Sequence, residues 1–296
     1  MEIATSGLLR KPLLAMTALE WHIIPAGTVW VDPGGPFGLV PRALWSRHQT
    51  ANESGLVPMC LNCLLIRSEG LTILVDNGLG DKLDAKGTRQ WGLEYPQGTL
   101  IENLAKHGVQ PEDIDIMLDT HLHADHCSGN TTMRDGRLQA TFPNAEYWVQ
   151  RLEFADAMHP NGRTGATYLP ENFAPIWESG KFRLLHGDTQ VTKEVRCAVT
   201  PGHTRGLQCV LIEAGERPLL YVTDLASYAV HFERRAWVTA YDVEPLENIR
   251  TKGVWQKWAL DNKALLMFEH DTTVTVGELV EVDEGKLKVK AVDTGQ

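Results

Sequence analysis

Four side chains with metal-ligating chemistry stand within one six-residue run, HLHADH: His121, His123, Asp125 and His126. Imidazole and carboxylate together are the donor set of zinc and other first-row divalent ions. On an extended segment, residues two apart project to the same side. His121 and His123 can therefore meet one ion without a helix, while Asp125 and His126 face a neighbouring ion as the chain turns. Three more candidates each follow an expected strand: His203 after 195–200, Asp224 after 219–223 and His270 after 265–268. A lone strand-terminal Asp is more often a turn or cap residue than a ligand, so it is the common placement at strand ends that carries this reading. His22, His48, His107, His159, His186 and His231 lack such placement and are read as structural or exposed.

Strands must deliver these residues to one edge of a sheet. Residues 20–31 are rich in β-branched and aromatic types and stop at Asp32-Pro33-Gly34-Gly35-Pro36, which predicts a strand and a turn. Strands at 60–66 and 71–76 follow, joined through Ser68-Glu69-Gly70 as a hairpin. A charged, Gly-rich loop leads to a helix at 100–107, and a short strand at 114–118 ends just before Thr120-His121. Further on come a strand at 145–149, a helix at 150–158, strands at 195–200, 208–213 and 219–223, a helix at 245–262 and a closing hairpin of 274–282 with 286–291. Strand-rich halves that each carry helices predict an α/β sandwich rather than a doubly wound sheet. Residues 1–15 read as an N-terminal extension, and 16–296 as one domain with cover loops at about 33–57 and 129–187.

Composition narrows the function classes. The chain has 296 residues and a formal charge of -10, which argues against a surface built to gather nucleic-acid phosphates. No stretch approaches the roughly 20 apolar residues of a membrane span. The cysteines, Cys60, Cys63, Cys127, Cys197 and Cys209, are scattered and odd in number, which fits a reducing cytoplasm better than a disulfide framework. Cys60 and Cys63 form a CxxC pair inside an apolar run and read as buried strand residues.

The order HxHxDH, then Thr200-Pro201-Gly202-His203-Thr204, then Thr223-Asp224, then Glu269-His270-Asp271 resembles the metallo-β-lactamase superfamily along nearly the whole chain. That resemblance implies a four-layer αβ/βα sandwich with a dinuclear site at the open edge between two sheets. It assigns His121, His123 and His203 to one metal, Asp125, His126 and His270 to the other, and Asp224 to both. Pro36-Phe37-Gly38-Leu39-Val40-Pro41, Leu44-Trp45-Ser46 and Ala240-Tyr241-Asp242 are similar to a bacterial quorum-quenching N-acyl homoserine lactonase branch, itself similar to methyl parathion hydrolase. The chain departs from that branch at Leu207, where the branch carries a second histidine.

The resemblance implies two divalent ions per chain, zinc first, with iron, manganese and cobalt open. A hydroxide shared by the ions would attack a lactone carbonyl, and Asp125 or Asp224 would pass a proton to the leaving alkoxide. Tyr228, four residues after Asp224, is the candidate donor to the carbonyl oxygen. Phe37, Trp45, Tyr168, Phe173 and Trp177 are candidates for an acyl-chain pocket, and Arg205 for a contact with a substrate anion. Rival readings are a phosphotriesterase or arylesterase, a glyoxalase II-like thioester hydrolase and, from another class, a mononuclear iron dioxygenase that needs only His121, His123 and His203. The expected partner is a small-molecule substrate, with neither nucleic acid nor membrane; a homodimer is left open.

Overall fold

A computed structural model describes residues 19–295; the expected extension at 1–15 lies outside them. The chain opens with β1 (Glu20–Val31) and β2 (Val57–Ser68), which pair antiparallel, and β3 (Leu71–Val75) returns along β2 after a turn at Glu69-Gly70. β4 (Ile116–Leu118) lies parallel to β3. A separate hairpin, β5 (Thr131–Arg134) with β6 (Arg137–Ala140), precedes β7 (Glu146–Gln150) and β8 (Phe182–Leu185), which extend the first sheet in parallel. This six-stranded sheet has the order β1-β2-β3-β4-β7-β8.

The second half supplies β9 (Thr189–Gln190), β10 (Val195–Val199), β11 (Gln208–Ile212), β12 (Leu219–Tyr221), β13 (Leu265–Met267), β14 (Val276–Asp283) and β15 (Lys286–Ala291). They form a seven-stranded sheet in the order β15-β14-β13-β12-β11-β10-β9.

Alternation along the strands sorts the core into layers. Leu64 and Ile66 of β2 point inward and pack with Ile73, Val75, Val210, Ile212 and Tyr221, so this cluster joins the two sheets. Cys63 and Leu65 point the other way, toward Leu100 and Leu104 of the helix Leu100–Lys106. On the far side of the second sheet, Leu211, Leu220 and Leu266 pack with Ala259 of the helix Pro245–Asn262. Helix, sheet, sheet and helix thus stack as the expected α/β sandwich. Because β2 is covered on both faces, it reads as a near-continuous apolar run. Each fully buried Leu or Ile contributes about 1.5–3 kcal/mol.

Strand direction decides where the candidate ligands emerge. β12 and β13 run parallel, and β10 shares their direction because β11 is antiparallel to both β10 and β12. The segments following β10, β12 and β13, which carry His203, Asp224 and His270, therefore leave the sheet at one edge. Backbone bonds from Cys60 N to the His270 carbonyl, 3.1 Å, and from Asn62 N to the Glu269 carbonyl, 3.2 Å, tie that edge to the first sheet.

The structure departs from the sequence expectations in three places. A helix, Ala85–Trp91, occupies part of the loop expected before residue 100; it buries none of its side chains, so no apolar period announced it. Its ends are set by the Asp84 carboxylate, which accepts from Gly87 N, and by Gly92 at φ +55°. Segment 33–57 contains two short helices, Gly34–Phe37 and Arg42–Trp45. Segment 129–187 is more than a cover, since β7 and β8 within it are integral strands of the first sheet.

The helix Pro245–Asn262 buries polar side chains, among them Asn248, Thr251, Lys252 and Gln256. They satisfy carbonyls of loops and of the short helix Ala229–Glu233 that would otherwise be orphaned: Thr251 Oγ1 donates to Pro201, Lys252 Nζ to His231 and Trp237, and Gln256 Nε2 to Phe232. Gly202, at φ +144°, passes against this helix so closely that a Cβ there would lie 2.4 Å from the Asn248 backbone. Gly202→Ala should therefore cost about 1–3 kcal/mol, read as a fall of several degrees in the thermal unfolding midpoint. An unchanged midpoint would show that the loop yields freely.

Candidate metal centre

The run HLHADH begins three residues beyond β4, with Ala124–Cys127 forming a single helical turn. His121, His126, His203 and His270 are buried at 0–1% exposure, and His123 and Asp224 at 4%. The expected ligands fall into two groups of donors. His121, His123, His203 and Asp224 bring ligand atoms within 4.8 Å of one another, and so do Asp125, His126 and His270. Asp224 reaches both: its Oδ2 is 3.0 Å from His203 Nε2 and 3.4 Å from His126 Nε2, and its Oδ1 is 3.2 Å from His270 Nε2.

Outer hydrogen bonds set which nitrogen faces inward. Thr120 Oγ1 donates to Asp76 Oδ2 at 2.7 Å, so at 3.1 Å it accepts from His121 Nδ1, which leaves His121 Nε2 bare. His203 Nδ1 donates to Asp242 Oδ1 at 2.9 Å, and His270 Nδ1 to the Cys60 carbonyl at 2.7 Å. His126 Nδ1 lies 3.1 Å from both Asp76 Oδ2 and Glu269 Oε2. Only His123 turns its Nδ1 inward among these imidazoles, 3.0 Å from His203 Nε2.

These residues fit divalent metal ions. His121 Nε2 is a buried nitrogen without a hydrogen-bond partner, a costly state unless a cation takes its lone pair. The inner nitrogens of His126 and His270 are 3.3 Å apart. Ligands about 2.0–2.1 Å from a tetrahedral zinc stand at about this spacing from one another.

Electrostatics agree. Burial, helped by neighbouring imidazoles, holds His121 and His123 well below the usual histidine range, so both stay neutral as ligands must. Burial pushes Asp224 up, but His203 and His270 outweigh it and hold the carboxyl well below its ordinary value. Burial likewise presses His203 and His270 down, yet Asp224 helps lift them to about 10 and about 9. The cluster calls for positive charge at its centre.

Other expected site residues are placed differently. Tyr228, expected to meet the substrate carbonyl, donates its hydroxyl to the Pro58 carbonyl at 2.9 Å and stacks on Phe37, 5.5 Å between centroids. Its donor is committed to the scaffold. Arg205 is paired with Asp156, with Nε 2.8 Å from Oδ2, rather than left for a substrate anion. Phe37, Trp45, Tyr168 and Phe173 are buried in core clusters, and only Trp177 of the proposed pocket aromatics is exposed. Cys127 is buried, its thiol pushed well up by burial, and donates to the Leu122 carbonyl at 3.3 Å. Leu207 is buried against the outer face of the second sheet.

Several residues that hold the site were not singled out from sequence. Asp76 carried a signal, since it ends a strand before Asn77-Gly78, and its carboxylate also accepts from Thr120 N at 2.8 Å. Glu153 carried none. Buried in the helix Arg151–Met158, it accepts from Leu122 N at 3.0 Å, Tyr168 Oη at 2.9 Å and Thr204 Oγ1 at 2.6 Å, linking the segment after His121 to the one after His203.

Comparison with known proteins agrees with this geometry. The sequence pattern of the metallo-beta-lactamase superfamily matches residues 61–276. An N-acyl homoserine lactonase of Bacillus sp is 29% identical over 268 residues, spanning 86% of this chain and 94% of the lactonase. A probable metal-dependent hydrolase from Staphylococcus aureus superposes with a TM-score of 0.83 at 28% identity, covering 94% of this chain and 97% of that one. AidC, a dizinc quorum-quenching lactonase solved in complex with a product, superposes with a TM-score of 0.75 at 20% identity over 95% of this chain and 96% of its own, a likeness that speaks for the fold alone. With two groups of residues that could hold metal ions gathered beyond the strand ends and the family pattern running from 61 to 276, the chain belongs to the metallo-beta-lactamase superfamily.

Proposed function

We propose that this metal-dependent hydrolase opens lactones, N-acyl homoserine lactones foremost, at a centre of two divalent ions. In this reading His121, His123 and His203 hold one ion, Asp125, His126 and His270 the other, and Asp224 serves both. The observation that carries the two-ion reading is the Asp224 carboxylate, with one oxygen toward His203 and the other toward His270. The lactone reading is supported by the 29% identity to a lactonase over 94% of that protein. The completed second group, Asp125 with His126 and His270, speaks against a mononuclear dioxygenase.

The ions, when bound, supply a water acidified to near neutral pH and polarisation of the carbonyl. The chain's own residues do the rest. Asp242, Thr120, Asp76 and the Cys60 carbonyl fix the imidazoles from outside. Water oxygen adds to the ring carbonyl, the bond to the ring oxygen breaks, and a proton returns to the departing alkoxide to give the open hydroxy acid. Asp125 is our first candidate for that proton transfer, ahead of Asp224; what supports it is a side chain at 17% exposure against 5%. Zinc is the first expectation for the ions.

A product assay of metal-loaded protein against acyl homoserine lactones, simple esters, phosphotriesters and thioesters tests the substrate class, with lactone opening expected. Turnover of thioesters or phosphotriesters alone would refute the lactonase reading. The double substitution His121→Ala with Asp224→Asn should abolish binding of the ion pair, measured by metal analysis of purified protein; retention of both ions would refute the ligand assignment. Asp242→Ala, which frees His203 Nδ1, should weaken metal affinity by about 10–100-fold, checked by competition with a chelator, and an unchanged affinity would remove Asp242 from the site.

A further inference from the structure

His203 is oriented by Asp242, and Asp242 stands on a stretch that belongs to neither helix nor strand, between the helices Ala229–Glu233 and Pro245–Asn262. Its carboxylate meets the imidazole only if that loop is bent to the right shape. Behind it, Val243 N donates to the His203 carbonyl at 3.0 Å and Glu244 N to the Gly202 carbonyl at 2.9 Å; ahead of it, Ala240 N donates to the Gly35 carbonyl at 2.8 Å. The bend between these ties is held by one side chain. Arg163 Nη2 donates to the Ala240 carbonyl at 2.6 Å and to the Asp242 carbonyl at 2.8 Å, one N–H to each. In an extended chain two residues span about 6.6 Å, too far for both carbonyls to reach a single nitrogen at these distances, so the backbone is folded around Tyr241 and the guanidinium closes the fold. With its carbonyl held there, Asp242 turns Oδ1 to accept from Thr239 Oγ1 at 2.7 Å and from His203 Nδ1 at 2.9 Å.

Arg163 is anchored in its turn. Asn161 Oδ1 accepts from Arg163 N at 2.8 Å and from Thr164 N at 3.2 Å, while Asn161 N donates to Thr164 Oγ1 at 3.1 Å. A few residues on, the Thr167 carbonyl accepts from Ala124 N at 3.1 Å, between His123 and Asp125, and the Tyr168 ring lies 5.1 Å from the His123 ring. His123 follows β4 of the first sheet and His203 follows β10 of the second, and their inner nitrogens are 3.0 Å apart. The segment 161–168 therefore ties the two halves of the chain together where these imidazoles meet. Arg163 is exposed whereas Asp242 is buried, so the arginine can be exchanged without opening the core.

We infer that Arg163 is a positioning residue for the ion assigned to His121, His123 and His203. Its guanidinium holds the loop in the shape that lets the Asp242 carboxylate meet His203 Nδ1. The inference rests on the metal-binding reading above and concerns binding alone, whatever the substrate.

The test compares zinc affinity, by chelator competition, in wild type, Arg163→Met, Arg163→Lys, Asp242→Ala and the double variant Arg163→Met with Asp242→Ala. Arg163→Met, which keeps the aliphatic stem and removes the donors, should weaken one ion about tenfold or more and leave the other within about threefold. The same loss should appear in a His270→Ala background, where only the first group of donors is complete. Arg163→Lys, which retains a charged donor, should recover most of the affinity. The double variant should bind no more weakly than Asp242→Ala, because both changes act on one contact. Affinity of Arg163→Met within twofold of wild type would overturn the proposal, as would an equal loss of both ions, no recovery with lysine or multiplicative losses in the double variant. A wild type holding one ion would count against the two-ion reading alone, since Arg163 is judged by the difference between variant and wild type; a wild type holding none would refute both.

Discussion

One carboxylate facing two sets of imidazoles is the constraint on which the rest of the architecture depends. Asp224, three residues beyond β12 in the 3-10 turn Thr223–Leu225, places one oxygen by His203 and the other by His270. The residue before it makes the turn. Thr223 is β-branched yet sits at φ +45°, a conformation that costs on the order of 1–3 kcal/mol and persists only when its surroundings over-determine it. Those surroundings are the Thr120 hydroxyl, 3.1 Å from Thr223 Oγ1, and the Ser227 hydroxyl, which donates to Asp224 Oδ1 at 2.7 Å.

Around that carboxylate the protein builds outward in matched pairs. His203 is backed by Asp242, His126 by Asp76 and Glu269, and His270 by a backbone carbonyl of the opposite sheet. The last contact joins the two sheets at the place where the imidazoles meet. The inter-sheet core of Leu64, Val75, Val210 and Tyr221 consequently sets the separation of the candidate ligands as well as the stability of the fold. Glu153 has a comparable place on the other flank, with a Leu122 amide, a tyrosine and a threonine all donating to one buried carboxylate.

The sequence was legible wherever function and periodicity coincide. HLHADH clusters ligand types locally, and His203, Asp224 and His270 follow strands whose apolar runs end just before them. The long helix Pro245–Asn262 appears with its expected bounds because proline marks its start and the chain leaves it at Lys263. The helix Ala85–Trp91 was not legible, because a helix that buries nothing carries no apolar period. Glu153 looked like one more charged residue on a helix, and only the folded chain shows three donors converging on it. Tyr228 misled for a related reason. It stands only four residues after Asp224 along the chain, but stacking on Phe37 and the bond to Pro58 fix its direction, and direction is a tertiary property.

The polar inner face of the helix Pro245–Asn262 has a consequence for how this scaffold can change. Thr251, Lys252 and Gln256 act as a template on which the loops carrying His203 and Trp237 are laid down, carbonyl by carbonyl. A helix of ordinary amphipathic pattern would cover the second sheet equally well and leave those carbonyls without donors. Helix and loops are therefore heritable only as a set: variation that reshapes the rim of the site must carry its own backing helix with it, whereas the opposite face of the molecule, with its apolar Leu100 and Leu104, is free to drift in the way any packed core does.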